Sequence, residues 1–209
     1  KGLRNQLVKK LENKGIEDYN VLNAINTVPR HLFIDNAFVN FAYQDKAFPI
    51  GEGQTISQPY TVAFQTQLLD VNQYEKILEI GTGSGYQAAV LCLLSADLYT
   101  IERQKELFKK TKNFLPTLGY NCNFFYGDGY KGLPKLAPFD KIIVTCGAPF
   151  IPKDLISQLK IGGKMVVPIG DGNVQVMHLI EKLSEYENKT TLHGNFSFVP
   201  MLKDRNDCK

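Results

Sequence analysis

The stretch KILEIGTGSGYQAAVLCLLSADLYTIER, Lys76 to Arg103, decides the fold. It opens on a short apolar run, Ile77–Ile80, and breaks at a glycine cluster. It then continues as YQAAVLCLLS at helical length and returns to a second short apolar run, Leu98–Ile101. Short β-branched runs separated by a helical segment are the pattern of buried parallel strands covered by helices. Downstream, a charged helical stretch covers Gln104 to Leu115. The runs NFFYGD, FDKIIVT and GGKMVVPIG then give three more candidate strands, the last preceded by a helix from Pro152 to Leu159. This alternation predicts a doubly wound, mostly parallel, Rossmann-like α/β sheet. In the tail, VQVMHLIEKL and TTLHGNFSFVPM are β-rich with no helix between them, so an antiparallel pair is expected to close one edge.

Upstream, Leu3, Leu7, Val8 and Leu11 recur at spacings of three and four, which predicts a helix over Leu3–Asn13 that stops at Gly15. A second helix is expected from Asp18 to just before Pro29. Between Ala42 and Pro59 the prolines, glycines and small polar residues read as a long ordered loop with at most one short strand, and such loops tend to be functional. A helix over Thr61–Leu69 follows. The whole chain is expected to form one domain. Residues 1–75 supply N-terminal helices and a loop, 76–170 the Rossmann-like core, and 171–209 a β extension.

Of the 209 residues, 44% are hydrophobic and 22% charged, which excludes a disordered chain, a collagen-like repeat and a disulfide-stapled miniprotein. The net charge of +3 advertises neither nucleic acid nor an anionic membrane, and no apolar run approaches the ~20 residues that cross a bilayer. Cys92, Cys122, Cys146 and Cys208 are widely spaced and read as reduced thiols. Nothing resembling a signal peptide opens the chain, so the cytoplasm is the expected compartment; a monomer is expected too, although no sequence feature argues it.

Chemistry concentrates around Glu79, Gly81, Gly83 and Gly85. Glycines between a strand and a helix let the backbone approach a ligand closely, and a helix start offers N–H groups, so a nucleotide-like cofactor is expected. A tight turn with no ligand is the competing reading. The third glycine arrives one residue too early for the G-x-G-x-x-G spacing of dinucleotide sites. Glu102, ending the next strand, is placed to accept hydrogen bonds from a ribose diol, or else is a solvated charge beside Arg103. Asp128, between Gly127 and Gly129, suits an exocyclic amine such as that of adenine, or a plain turn. His31, His178 and His193 lack metal-ligand spacing and read as structural; no metal site is expected.

These features together resemble the class I methyltransferases that use S-adenosylmethionine. VPRHLFI (Val28–Ile34), AFPIGEGQTISQPY (Ala47–Tyr60), EIGTGSGYQAAVL, YTIER, FDKIIVTCGAP and VPIG, in that order over nearly the whole chain, resemble the protein-L-isoaspartate O-methyltransferase family. The resemblance implies methyl transfer to the α-carboxyl of L-isoaspartyl residues in damaged proteins and peptides, starting their repair through a succinimide. It implies that Gln54, Thr55, Ile56, Glu79, Gly81, Gly83, Gly85, Glu102, Asp128 and Gly129 serve the cofactor. It also implies that Ser57 positions the substrate carboxylate, as the catalytic residue, and that Tyr60, Val199, Pro200 and Met201 line a peptide cleft. A carboxylate with a pKa near ~4 is ionised at neutral pH, so the nucleophile needs no general base. That is consistent with the lack of a Ser-His or His-Asp pair.

Three rivals remain on the residues alone. A small-molecule or nucleic-acid acceptor keeps the fold, but where base methyltransferases often carry N/D-P-P-Y/F this chain has Thr145-Cys146-Gly147-Ala148-Pro149. A dinucleotide oxidoreductase conflicts with the glycine spacing. A non-catalytic binding protein has no need of both the glycines and Glu102.

Overall fold

A computed structural model describes residues 2–94 and 96–206. Helices α1 (Gly2–Glu12) and α2 (Tyr19–Thr27) open the chain, and Asp18 caps α2 by accepting the Asn20 and Val21 amides. After two 3₁₀ turns, Arg30–Phe33 and Asn36–Phe41, come strands β1 (Phe48–Gly51) and β2 (Gln54–Ile56) and helix α3 (Pro59–Leu69). The α/β portion runs β3 (Lys76–Ile80), α4 (Tyr86–Leu93), β4 (Asp97–Glu102), α5 (Lys105–Thr117), β5 (Asn123–Tyr126), β6 (Phe139–Val144), α6 (Lys153–Ser157) and β7 (Leu159–Ile169). Strands β8 (Gln175–Lys182) and β9 (Asn188–Phe196) follow.

Strands β3 to β9 form one sheet in the order β5-β4-β3-β6-β7-β8-β9. All pairs from β5 to β7 are parallel, and the β7–β8 and β8–β9 pairs are antiparallel, as the tail predicted. The chain leaves β3 toward β4 and β5, then returns to β6 on the other flank of β3. A crevice therefore opens beyond the carboxyl ends of β3 and β6. Side chains alternate between two cores: Ile77, Ile143 and Val166 join the N-terminal helices, while Leu78, Ile80, Ile142, Val144, Met165 and Val167 pack on the opposite face. Among the described residues no helix is long and apolar enough to cross a membrane. Cys92, Cys122 and Cys146 are free thiols, and Cys208 lies outside the described residues.

Two expectations are corrected. The loop before Pro59 holds a hairpin of two strands, Phe48 pairing with Ile56, in place of at most one. Glu52 and Gly53 both have positive φ, 52° and 65°, the geometry two-residue hairpin turns prefer. The helix expected over Pro152–Leu159 is only α6, because Leu159 is buried against Phe139 and opens β7 instead.

Candidate active site

The glycine turn leaves β3 at the mouth of the crevice. Gly81 has φ 95°, and a Cβ there would stand 2.6 Å from the Thr145 hydroxyl, which itself donates to the carbonyls of Ile80 and Gly81. Only glycine allows the turn after β3 to lie that close to the end of β6. Gly85, φ 83°, is the N-cap of α4, and its missing Cβ makes room for Thr111 and Leu115 of α5. Gly81 and Gly83 line the cleft, whereas Gly85 sits behind it.

The two glutamates differ sharply. Glu102, 5% exposed, lines the cleft; its carboxylate accepts the Gly83 and Gln104 amides, each at 2.8 Å. Burial raises its pKa, while those amides and Arg103 oppose the rise. Glu79 alternates onto the other face of β3 and is fully buried under the turn. It accepts a hydrogen bond from the Thr100 hydroxyl at 2.6 Å, and its other oxygen has no partner among the described residues. Burial pushes its pKa up to about 8, so it is protonated at neutral pH. Asp128 accepts the Tyr130 amide at 2.9 Å in a turn; the cleft is lined by its neighbour Gly129, whose absent Cβ would strike Ile80.

The facing wall comes from distant parts of the chain. Gln54, Thr55, Ile56 and Ser57 descend from β2, and Val199, Pro200 and Met201 cross from the C-terminal segment. That segment is held by Gly147, whose amide donates to the Val199 carbonyl at 2.8 Å and whose carbonyl accepts the Met201 amide at 2.7 Å. The cleft, together with the solvent space at its mouth, spans about 780 Å³. A wider groove of about 1260 Å³ adjoins it, and Tyr60 lines that groove together with Phe196 and Phe198. Thr55, Ser57, Thr145 and Val199 belong to both, so Ser57 stands at the junction.

Thr145, Cys146, Arg103 and Leu202 also line the cleft and were not anticipated from the sequence. Thr145 and Cys146 directly follow a parallel strand, where ligand contacts are expected, so their position was a usable signal. Burial pushes the Cys146 thiol up to about 12, which leaves it neutral and a poor nucleophile. Among the described residues no group of three or more His, Cys, Asp or Glu side chains is arranged to hold a metal ion.

A parallel sheet with a glycine turn at its switch point, and an acid at the end of the neighbouring strand, defines a Rossmann-like methyltransferase of the class that uses S-adenosylmethionine. The residues fit that cofactor: the glycine turn admits a close ligand and Glu102 offers acceptors to a diol. More particularly, the chain belongs to the protein-L-isoaspartate(D-aspartate) O-methyltransferase family, whose sequence profile matches residues 3–206. Protein-L-isoaspartate O-methyltransferases of Flavobacterium johnsoniae and Flavobacterium psychrophilum are 61% and 60% identical to it over 206 residues, covering 98% of this chain and 96% of each relative. A Plasmodium falciparum structure, described as a protein-L-isoaspartate O-methyltransferase in complex with S-adenosyl-L-homocysteine, superposes with a TM-score of 0.84 at 24% identity. It covers 95% of this chain and 98% of that one.

Proposed function

We propose that this chain transfers the methyl group of S-adenosylmethionine to the α-carboxyl of L-isoaspartyl residues in damaged proteins and peptides. The observation that carries the reading is the junction at Ser57, a residue that lines both the cleft under the glycine turn and the adjoining groove.

Bound S-adenosylmethionine supplies an electrophilic methyl group on a sulfonium centre. In our reading Glu102 holds the ribose hydroxyls, while Gln54, Thr55, Ile56, Gly81, Gly83 and Gly129 shape the pocket around the cofactor. Glu79, Gly85 and Asp128 support that pocket from behind. The substrate carboxylate, already ionised, would take that methyl when held in line with it, a C–O bond replacing the S–CH₃ bond, whose electron pair would stay on sulfur, to give a methyl ester. No proton has to move, so alignment is the main task left to the protein. Ser57 performs it by donating to the carboxylate from the junction, with Tyr60, Val199, Pro200 and Met201 flanking the peptide. The same reading has the chain acting as a monomer in the cytoplasm on isoaspartyl proteins and peptides, and not on nucleic acid or membranes. The near-balanced charge offers no phosphate-tracking surface.

The test is methyl transfer from radiolabelled S-adenosylmethionine to two peptides that differ only in isoaspartate against aspartate. Base-labile label on the isoaspartyl peptide alone is expected. Label on both or on neither would overturn the acceptor assignment.

A further inference from the structure

Arg30 carries a buried charge that the reaction does not use. It is fully buried, and among the described residues it forms no ion pair; its guanidinium donates to three backbone carbonyls, and the Tyr86 side chain lies against it. Nε donates to Ala42 at 3.0 Å, Nη2 to Lys46 at 2.9 Å and Nη1 to Ser57 at 3.0 Å. The guanidinium carbon lies 4.8 Å from the centroid of the Tyr86 ring, the first residue of α4 after the glycine turn. Burial pulls its pKa down to about 10, with Asp45 acting in the opposite direction, so the cation persists at neutral pH.

A cation buried without a carboxylate partner is costly, and a core Leu or Met would fill the same volume without that cost. The arrangement makes sense as a joint. Its planar fork can hold three carbonyls in fixed directions, which a lysine or an apolar residue cannot do. Two of those carbonyls, at Ala42 and Lys46, flank the segment leading into the β1–β2 hairpin, and the third belongs to Ser57, where that hairpin ends. The cation's face meanwhile rests on the helix that follows the glycine turn. One side chain therefore fixes the distance between the substrate side of the site and the cofactor side.

We propose that Arg30 is a positioning residue for methyl transfer, setting the main chain at Ser57 relative to the glycine turn so that carboxylate and methyl meet in line. The inference rests on the reading that places the substrate carboxylate at Ser57. In-line transfer is sensitive to small displacements, and a misplacement of about 1 Å can cost about 10²-fold in rate.

The experiment measures kcat and KM for an isoaspartyl peptide, the Kd of S-adenosylhomocysteine and the melting temperature for the unaltered protein, Arg30→Lys, Ser57→Ala and the double variant. Leu11→Ala, remote from the cleft, serves as a control for lost stability alone. Arg30→Lys is expected to lower kcat by about 10- to 100-fold with S-adenosylhomocysteine Kd changed less than threefold, while Leu11→Ala lowers the melting temperature and leaves kcat within twofold. In the double variant the two losses should combine to less than their product. If the lysine variant does not fold, Arg30→Gln, which keeps two donors on a neutral head, takes its place with the same expectation. An unchanged kcat, or a fall in kcat matched by the stability control, overturns the role of Arg30. Fully multiplicative losses in the double variant overturn it as well. An inert Ser57→Ala beside a slow Arg30→Lys would instead refute the Ser57 hydroxyl while leaving Arg30 as the residue that sets the main chain there.

Discussion

The two walls of the cleft are built in opposite ways. One wall, Gly81 to Ser84 with Glu102 and Gly129, is made where parallel strands end, and its contacts join segments that follow directly from the sheet. The other, Gln54 to Ser57 with Val199 to Met201, is assembled by long-range tethers: Arg30 to Ser57, and Gly147 to Val199 and Met201. The difference teaches that one wall of a cleft can be a property of local sequence, whereas the wall facing it depends on which distant segments the fold delivers.

The largest effect should come from under the first wall. Glu79 has its carboxyl pKa raised from 4.5 to about 8 by burial, so the native state holds its proton over a range where the unfolded chain has lost it. Stability from this group is complete below about pH 4.5 and is lost as pH rises through about 8. At ~1.4 kcal/mol per unit, the loss between pH 5 and pH 8 is on the order of 3 kcal/mol. Urea unfolding at both pH values should show it, and Glu79→Gln should remove most of the slope. Glu102, also raised, leaves a smaller slope of the same sign. An unchanged slope in Glu79→Gln would mean that the carboxyl is ionised in the native protein.

Glu102→Ala tests the same wall from the cleft side. It removes an acceptor from the ligand and from the Gly83 and Gln104 amides. S-adenosylhomocysteine affinity should weaken by about 2–3 kcal/mol, roughly 30- to 160-fold, by calorimetric titration. Ser57→Ala addresses the opposite wall and should separate from it, with kcat for the isoaspartyl peptide about tenfold lower, ~1.4 kcal/mol, and S-adenosylhomocysteine Kd unchanged. If Ser57→Ala weakened the cofactor product as much as Glu102→Ala does, the two walls would not be functionally distinct.

This division matches what could be read before any coordinates. The strand, glycine turn, helix and second strand of Lys76–Arg103 lie where periodicity and punctuation place them, because burial on both faces of a parallel strand leaves an unbroken apolar run. The hairpin over Phe48–Ile56 was not legible: its strands are four and three residues long, and its turn hides in the Glu52-Gly53 pair. The brevity of α6 escaped for another reason, since the need to bury Leu159 against Phe139 is a contact across 20 residues that helical spacing cannot register. Asp128 shows the remaining limit. Its position between two glycines suited both a turn and a ligand contact; one carboxylate oxygen serves the turn by accepting the Tyr130 amide, which does not decide the contact.

The smallest expected effect is at the tether of the second wall. The Tyr130 hydroxyl donates to the Met201 carbonyl at 3.2 Å, while Gly147 already holds the backbone on either side of Pro200 through its own amide and carbonyl. Removing the hydroxyl in Tyr130→Phe keeps the ring that packs against Phe150 and deletes one long neutral hydrogen bond of three contacts. A neutral hydrogen bond contributes about 0.5–1.5 kcal/mol net, and a long one belongs at the lower end. Titration should therefore show S-adenosylhomocysteine Kd rising only about two- to threefold, with the melting temperature nearly unchanged. A loss comparable to Glu102→Ala would mean that the Val199–Met201 segment hangs on this one bond. In that case the second wall would be a hinged element whose closure the tyrosine controls, and the backbone ladder to Gly147 would not be enough to keep it in place.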